Sequence, residues 1–100
     1  MFSLTGKQAV VTGGGSGIGR AISLLFARQG AEVHIIELNA ETGQQAADEI
    51  RQAGGLAHVH AADVAQQAQV VAAFQAIGRV DILVNNAGIA HVGNVEATAE

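Results

Sequence analysis

The sequence predicts an α/β protein built on a doubly wound parallel sheet, and three observations carry that expectation. Short apolar runs alternate along the chain with segments of helical periodicity, each about 10 to 15 residues long. A glycine cluster, Gly13, Gly14, Gly15, Gly17 and Gly19, separates the first apolar run from the first helical segment. An acidic residue, Glu37, closes the second apolar run 18 positions beyond Gly19. Strand, bare loop, helix and a distant carboxylate together match a dinucleotide-binding βαβ unit. In such a unit the free N–H groups at a helix N-terminus face an anion that meets no Cβ on its approach.

Taken in order, residues 1–6 form a lead-in, with Phe2 and Leu4 alternating and Gly6 as punctuation. Ala9, Val10 and Val11 make the first strand. The helix after the loop carries Ile18, Ala21, Ile22, Leu25 and Phe26 on one stripe, turns Arg20 and Arg28 outward, and ends at Gly30 as its C′ residue. The run from Glu32 to Glu37 is the second strand. Asn39 is placed to cap a helix over 40–53 that is apolar through Ala46, Ala47, Ile50 and Ala53 and is stopped by Gly54 and Gly55. Leu56 to Ala61 reads as the third strand. A third helix over 65–77 has Val70, Phe74 and Ile77 at helical spacing. Val80 to Val84 is the fourth strand, and residues 89–100 are a loop in which Thr98 could cap a further helix.

Right-handed crossovers place the first two helices on one face of the sheet and the third on the other, which gives the strand order 3-2-1-4. The order reverses between strands one and four, so the glycine loop and the residues after Val84 should flank one crevice, where a ligand binds. The fourth strand is apolar enough for burial on both faces and pairing on both edges, and an uncovered apolar edge invites aggregation. The expectation is therefore that residues 1–100 are the N-terminal portion of a single longer dinucleotide-binding domain, or that something else covers this edge.

The glycine signal alone is weak, because glycines gather in ordinary turns and caps. Its spacing, Gly13-x-x-x-Gly17-x-Gly19, departs from G-x-G-x-x-G and lacks the Lys-Ser/Thr of a P-loop. Composition narrows the rest. With 49% apolar and 14% charged residues the chain is not disordered, and without Cys it has neither disulfides nor thiolate chemistry. No segment approaches membrane-spanning length, so a soluble, cytoplasmic protein without a membrane partner is expected. A net charge of −4 with three Phe and no Trp or Tyr leaves no basic face or stacking group for nucleic acid.

Three motifs in order, Thr12-Gly13-Gly14-Gly15-Ser16-Gly17-Ile18-Gly19, Asp63-Val64 after the third strand and Asn85-Asn86-Ala87-Gly88 after the fourth, resemble the short-chain dehydrogenase/reductase family. These are Rossmann-fold oxidoreductases that move hydride to or from a nicotinamide, and the resemblance covers about the first two fifths of a typical member. It implies that Gly13, Gly17 and Gly19 close the turn, admit the pyrophosphate and let the helix pack on the sheet. Ser16 and Ile18 would touch the phosphate or the nicotinamide side, and Thr12 would brace the Asn85-Asn86-Ala87-Gly88 loop. Asp63 would accept from the adenine amino group with Val64 beside the base, and Asn86, Ala87 and Gly88 would line the ribose side of the crevice. Asn85 would tie strands together. Taken singly, Asp63 reads equally well as a helix N-cap, and Asn85 and Asn86 as turn residues. The third helix is about one turn shorter than the family's usual length.

Glu37 selects among cofactors. A carboxylate at the end of the second strand accepts both ribose hydroxyls of adenosine, whereas a 2′-phosphate there sets like charges together. No compensating cation stands nearby in sequence, since Ser16 precedes Gly17 and Leu38 follows Glu37, while family members that use NADP tend to be basic at these places. The expected cofactor is NAD(H). His34, His58 and His60 are expected on strand surfaces, without the paired spacing and carboxylate support of a metal site; His91 follows the Asn-Asn-Ala-Gly loop and reads equally as a surface residue. The family's catalytic Tyr and Lys, with a Ser and an Asn, would lie beyond Glu100, and no triad or carboxylate pair replaces them. The resemblance thus implies an alcohol/ketone oxidoreductase, with a sugar, polyol, hydroxyacyl or steroid alcohol as substrate, working as a homo-oligomer (dimer or tetramer). A cofactor sensor without catalysis and a truncated binding module are the rival expectations.

Overall fold

The computed structural model describes residues 3–86. Seven elements follow one another: β1 (Gln8–Thr12), α1 (Gly17–Arg28), β2 (Glu32–Glu37), α2 (Ala40–Gln52), β3 (Leu56–Ala61), α3 (Gln67–Ile77) and β4 (Ile82–Asn85). All strand pairings are parallel and the sheet order is β3-β2-β1-β4, as the sequence predicts. Alternate residues of each strand face opposite sides. Ala9, Val11, Val33, Ile35 and Ala57 pack on one side against α1 and α2, through Ile22, Phe26, Ala46, Ala47 and Ile50. Val10 and Ile36 face the other way and pack with Ala62, Ala73 and Ile77 around α3.

The inward face of α1 differs from the expected stripe. Ile18 and Leu25 are 72% and 48% exposed and Ala21 is exposed too, while Gly19 and Ser23 are buried and Ile22 and Phe26 half-buried. The small residues decide this. Ser23 donates its hydroxyl to the carbonyl of Gly19 (2.9 Å) or Gly14 (3.2 Å), so the helix lies close against the glycine loop on its least bulky side. In α2 the same principle buries Gly43 and leaves Ala53, expected in the apolar face, exposed at the C-cap. A Cβ on Gly43 would come 2.8 Å from Val59 Cγ1.

Two further boundaries move for local reasons. α3 begins at Gln67, later than expected, because Asp63 Oδ1 accepts from the Ala65 N–H (2.9 Å) and holds the chain in a turn ahead of the helix. β4 begins at Ile82, because Asp81 is occupied in joining strand starts: its N–H donates to the Gln8 carbonyl, and its carboxylate accepts from the Gln8 N–H (2.8 Å) and from Arg79 Nε (3.0 Å). Those donors, the backbone one first, hold the Asp81 carboxyl below the usual range. Phe2 and the expected loop over 89–100, with Thr98, lie outside the described residues. Within them β4 pairs only with β1, and Leu83 is 53% exposed.

Both first helices close with the same hydrogen-bond pair. Ala31 N–H reaches back to Phe26 O (3.1 Å) and Gly30 N–H to Ala27 O (3.0 Å); in α2, Gly55 N–H bonds Ile50 O and Gly54 N–H bonds Arg51 O, both at 2.9 Å. These are Schellman closures, which need a left-handed residue at C′, and Gly30 and Gly54 supply it with φ of +101° and +91°. The two sites differ in their surroundings. A Cβ on Gly30 would lie 2.6 Å from Thr5 Oγ1, and one on Gly54 would meet nothing within 4 Å. Gly54→Ala is therefore expected to cost about 1–2 kcal/mol, the backbone term alone, and Gly30→Ala clearly more; urea denaturation compares the two, and equal losses would show that the Thr5 contact imposes nothing.

Candidate functional site

At the carboxyl ends of β1, β2 and β3 the loops part around a cleft of about 340 Å³ lined by Gly13, Ser16, Ile36, Glu37, Leu38, Ala62, Asp63, Val64 and Asn86. The glycine loop forms its floor. Gly13 and Gly17 adopt left-handed backbone, φ +65° and +57°, which turns the chain from β1 into α1. Gly19 is required for another reason: a Cβ there would lie 2.1 Å from the Gly13 carbonyl oxygen and 2.5 Å from Asn86 Nδ2. Ser16 is the N-cap of α1 in extended backbone and makes no side-chain capping bond. The first N–H groups of α1, at residues 17–19, have no partner within the helix and carry the positive end of its dipole.

Glu37 is held from the loop side. Its Oε2 accepts from the Gly15 N–H at 2.8 Å, and a Cβ on Gly15 would meet this oxygen at 3.0 Å and Thr42 O at 2.9 Å. The carboxylate is thus wedged between the glycine loop and the start of α2. Asp63 stands at the facing wall, its backbone N–H bonded to Gln69 Oε1 (2.8 Å). It caps its own turn, and Gln66 is the N-cap of α3, so the alternative of Asp63 as a helix N-cap does not hold. Among the described residues no Lys or Arg lines the cleft; Arg20, the basic residue on the first turn of α1, pairs with Glu49 on α2.

The crevice wall at β4 is joined to the loop by Thr12. Its hydroxyl donates to Asn85 Oδ1 (3.0 Å) and accepts from the Asn86 N–H (2.9 Å), while Asn86 Nδ2 reaches the Gly13 carbonyl at 3.4 Å. The bracing expected of Thr12 and the tying expected of Asn85 are both present. Of the candidate residues, Gly13, Ser16, Glu37, Asp63, Val64 and Asn86 meet at one cleft. Gly17 and Ile18 sit exposed on the first turn of α1, Gly19 supports the floor from beneath, and Ala87, Gly88 and His91 lie outside the described residues. Sequence reasoning passed over Gly15, whose N–H holds Glu37, and the cleft walls Ile36 and Ala62.

The histidines require a correction. His34 is 6% exposed, not a surface residue, and carboxylate support is present: Glu32 Oε2 lies 2.5 Å from His58 Nε2. The cause is register. His34 pairs directly with His58, and the two-residue period puts Glu32, His34, His58 and His60 on one side of the sheet. Burial first, then the imidazoles of His58 and His60, push His34 down to about 4 against a weaker opposing pull from Glu32. Burial and His58 also lower His60.

Comparison with known proteins bears on this geometry. Residues 7–100 match the family described as short chain dehydrogenase. The chain belongs to that family. It is 42% identical to an uncharacterized oxidoreductase of Thermotoga maritima over 101 residues, 99% of this chain and 40% of the relative. A 7α-hydroxysteroid dehydrogenase solved with NADH and 7-oxo glycochenodeoxycholic acid superposes with a TM-score of 0.77 at 40% identity, over 83% of this chain and 34% of that one. The RhlG/NADP complex of Pseudomonas aeruginosa gives 0.79 at 38% identity, over 91% and 38%. The chain therefore spans about two fifths or less of the length of these relatives. A dinucleotide fits what is present: a left-handed glycine turn whose Gly17 has open space where a side chain would stand, helix N–H groups without partners in the helix, and the Glu37 carboxylate beside them.

Gly19→Ala is expected to lower stability by about 3 kcal/mol, because the first turn of α1 must back away from Gly13. Urea denaturation checks this, and a variant as stable as the parent would mean that the helix can dock farther out.

Proposed function

We propose that this chain binds NAD(H) in the cleft, and that the short-chain dehydrogenase to which it belongs transfers hydride between NAD(H) and an alcohol or ketone. The observation that carries the cofactor choice is Glu37, fixed by the Gly15 N–H at the cleft mouth with Leu38 beside it and no lining cation among the described residues. Gly13, Ser16 and the N–H groups of Gly17, Ile18 and Gly19 would hold the pyrophosphate. Glu37 would accept the adenosine ribose hydroxyls, Asp63 and Val64 would flank the adenine, and Asn86, with Ala87 and Gly88, would face the second ribose. Bound there, the nicotinamide supplies the hydride acceptor or donor.

A 2′-phosphate at the same place would face the Glu37 carboxylate. At about 4 Å and an effective dielectric of about 20, one unit pair costs on the order of 4 kcal/mol, less with solvent screening. The solved neighbours carry NADH in one case and NADP in another, so their cofactors do not choose between the two for this chain. The substrate class follows the family: a steroid, polyol, sugar or hydroxyacyl alcohol, in a cytoplasmic homo-oligomer. No described helix is long and apolar enough to cross a membrane.

Calorimetric titration of the chain should show NAD+ bound at least 10-fold more tightly than NADP+, and Glu37→Ala with Leu38→Arg should reverse or erase that ratio. In a protein of the relatives' full length carrying these residues, the same pair should raise the NADP/NAD ratio of kcat/KM. Equal binding of both cofactors by the unsubstituted chain would remove Glu37 as the discriminator. Cofactor binding without oxidation of any alcohol by the full-length protein would favour the sensor.

A further inference from the structure

The side of the sheet that carries α3 holds a cluster of polar groups that cofactor binding does not use. β2 contributes Glu32 at its amino end and His34 near its middle, and β3 contributes His58 near its middle and His60 one residue before its carboxyl end. His34 and His58 stack with ring centroids 4.8 Å apart, and His34 and His60 lie at 5.3 Å. Ligand atoms of Glu32, His34 and His58 fall within 4.8 Å of one another, and His34 Nδ1 is 3.1 Å from His60 Nε2.

The proton positions follow from the next shell. Gln8 donates its side-chain amide N–H to the Arg79 carbonyl (2.8 Å), which turns its amide oxygen toward His34 Nε2 at 2.9 Å. That nitrogen therefore carries the proton, and Nδ1 presents a lone pair to His60. An imidazole oriented by an N–H bond to a carbonyl, with its other nitrogen facing a second imidazole and with a third imidazole and a carboxylate close by, is the arrangement in which metal-ligating histidines are found. We propose that Glu32, His34, His58 and His60 bind a divalent transition-metal ion of the zinc class.

Imidazole and carboxylate donors suit zinc, and also cobalt, nickel and copper. At metal–nitrogen distances of about 2.0–2.1 Å, neighbouring ligand atoms of a tetrahedral site lie about 3.4 Å apart. The His34–His60 pair is already near that spacing. Glu32 and His58, 2.5 Å apart, must open toward that spacing while both approach His34 from within the 4.8 Å limit. Their side chains are 37% and 47% exposed, so they can turn inward without displacing the core. His34 is the fixed member, and the three more exposed groups gather around it.

The test uses the tag-free chain titrated with Co2+ as a spectroscopic probe and then with Zn2+ as competitor. The expected result is visible d–d absorption typical of four-coordinate nitrogen and oxygen ligation, displaced by Zn2+. His58→Ala with His60→Ala should weaken Co2+ binding by about 100-fold and Glu32→Gln by about 10-fold. These positions are at least partly exposed, so circular dichroism and NAD+ titration should show both variants folded. His34→Ala is avoided because it opens the buried side of the sheet. Absence of a Co2+ spectrum at millimolar metal, or unchanged affinity in the double variant, would overturn the site.

Discussion

The approach of α1 to the loop before it governs the rest of this molecule. The helix starts so close to β1 that the position of a Cβ on residue 19 is already taken by the Gly13 carbonyl oxygen. Only because residue 19 has no side chain can the first turn of α1 lie this close under the loop. Ser23, one turn on, donates its hydroxyl to the carbonyl of Gly19 or of Gly14 within this close packing. A bulkier and more apolar inner face would hold the helix away and leave the cleft without its positive floor. The outward placement of Ile18, Ala21 and Leu25 follows from the same fit.

The loop in turn positions the acid. Glu37 would otherwise be a carboxylate at a strand end, free to turn into solvent. The Gly15 N–H holds one of its oxygens, and the close passage of Gly15 past Thr42 and Gly43 brings the start of α2 against the same group. Asn39 caps α2 by accepting from the Glu41 and Thr42 N–H groups, which fixes where that helix begins and so the second wall of the Glu37 niche. The proposed choice between NAD and NADP would thereby rest on helix capping and on a glycine remote from Glu37 in sequence.

Much of this was legible in the chain. Period and punctuation located all seven elements, because strand and helix periods differ and most boundaries carry a glycine or a capping side chain; the start of α3, where Gln66 makes no side-chain cap, is an exception. The parity of His34, His58 and His60 was legible as well. What could not be read was inter-strand register, which decides that His58 sits directly beside His34 and that Glu32 reaches it. The inner face of α1 was misjudged because apolar count favours Ile18 and Leu25, whereas close packing favours Gly19 and Ser23. The hold of Gly15 on Glu37 spans 22 residues and has no local signal.

The crevice has two walls on neighbouring strands, and their alignment rests on polar contacts at both ends of the β1–β4 pair. At the amino end Asp81 accepts the Gln8 N–H, and Arg79 bonds both Asp81 and the Gly6 carbonyl. At the carboxyl end Thr12 joins Asn85 and Asn86. A strand of four residues offers few ladder bonds of its own, so these side-chain ties hold its register, and a slip of one residue would turn Ile82 and Val84 away from the α1 side. Asn86 would then leave the Gly13 carbonyl, and the cleft would lose the wall opposite Glu37. The Gln8 backbone serves this clamp while its side chain orients His34, so one residue connects the strand pairing beneath the cleft with the histidine cluster on the α3 side.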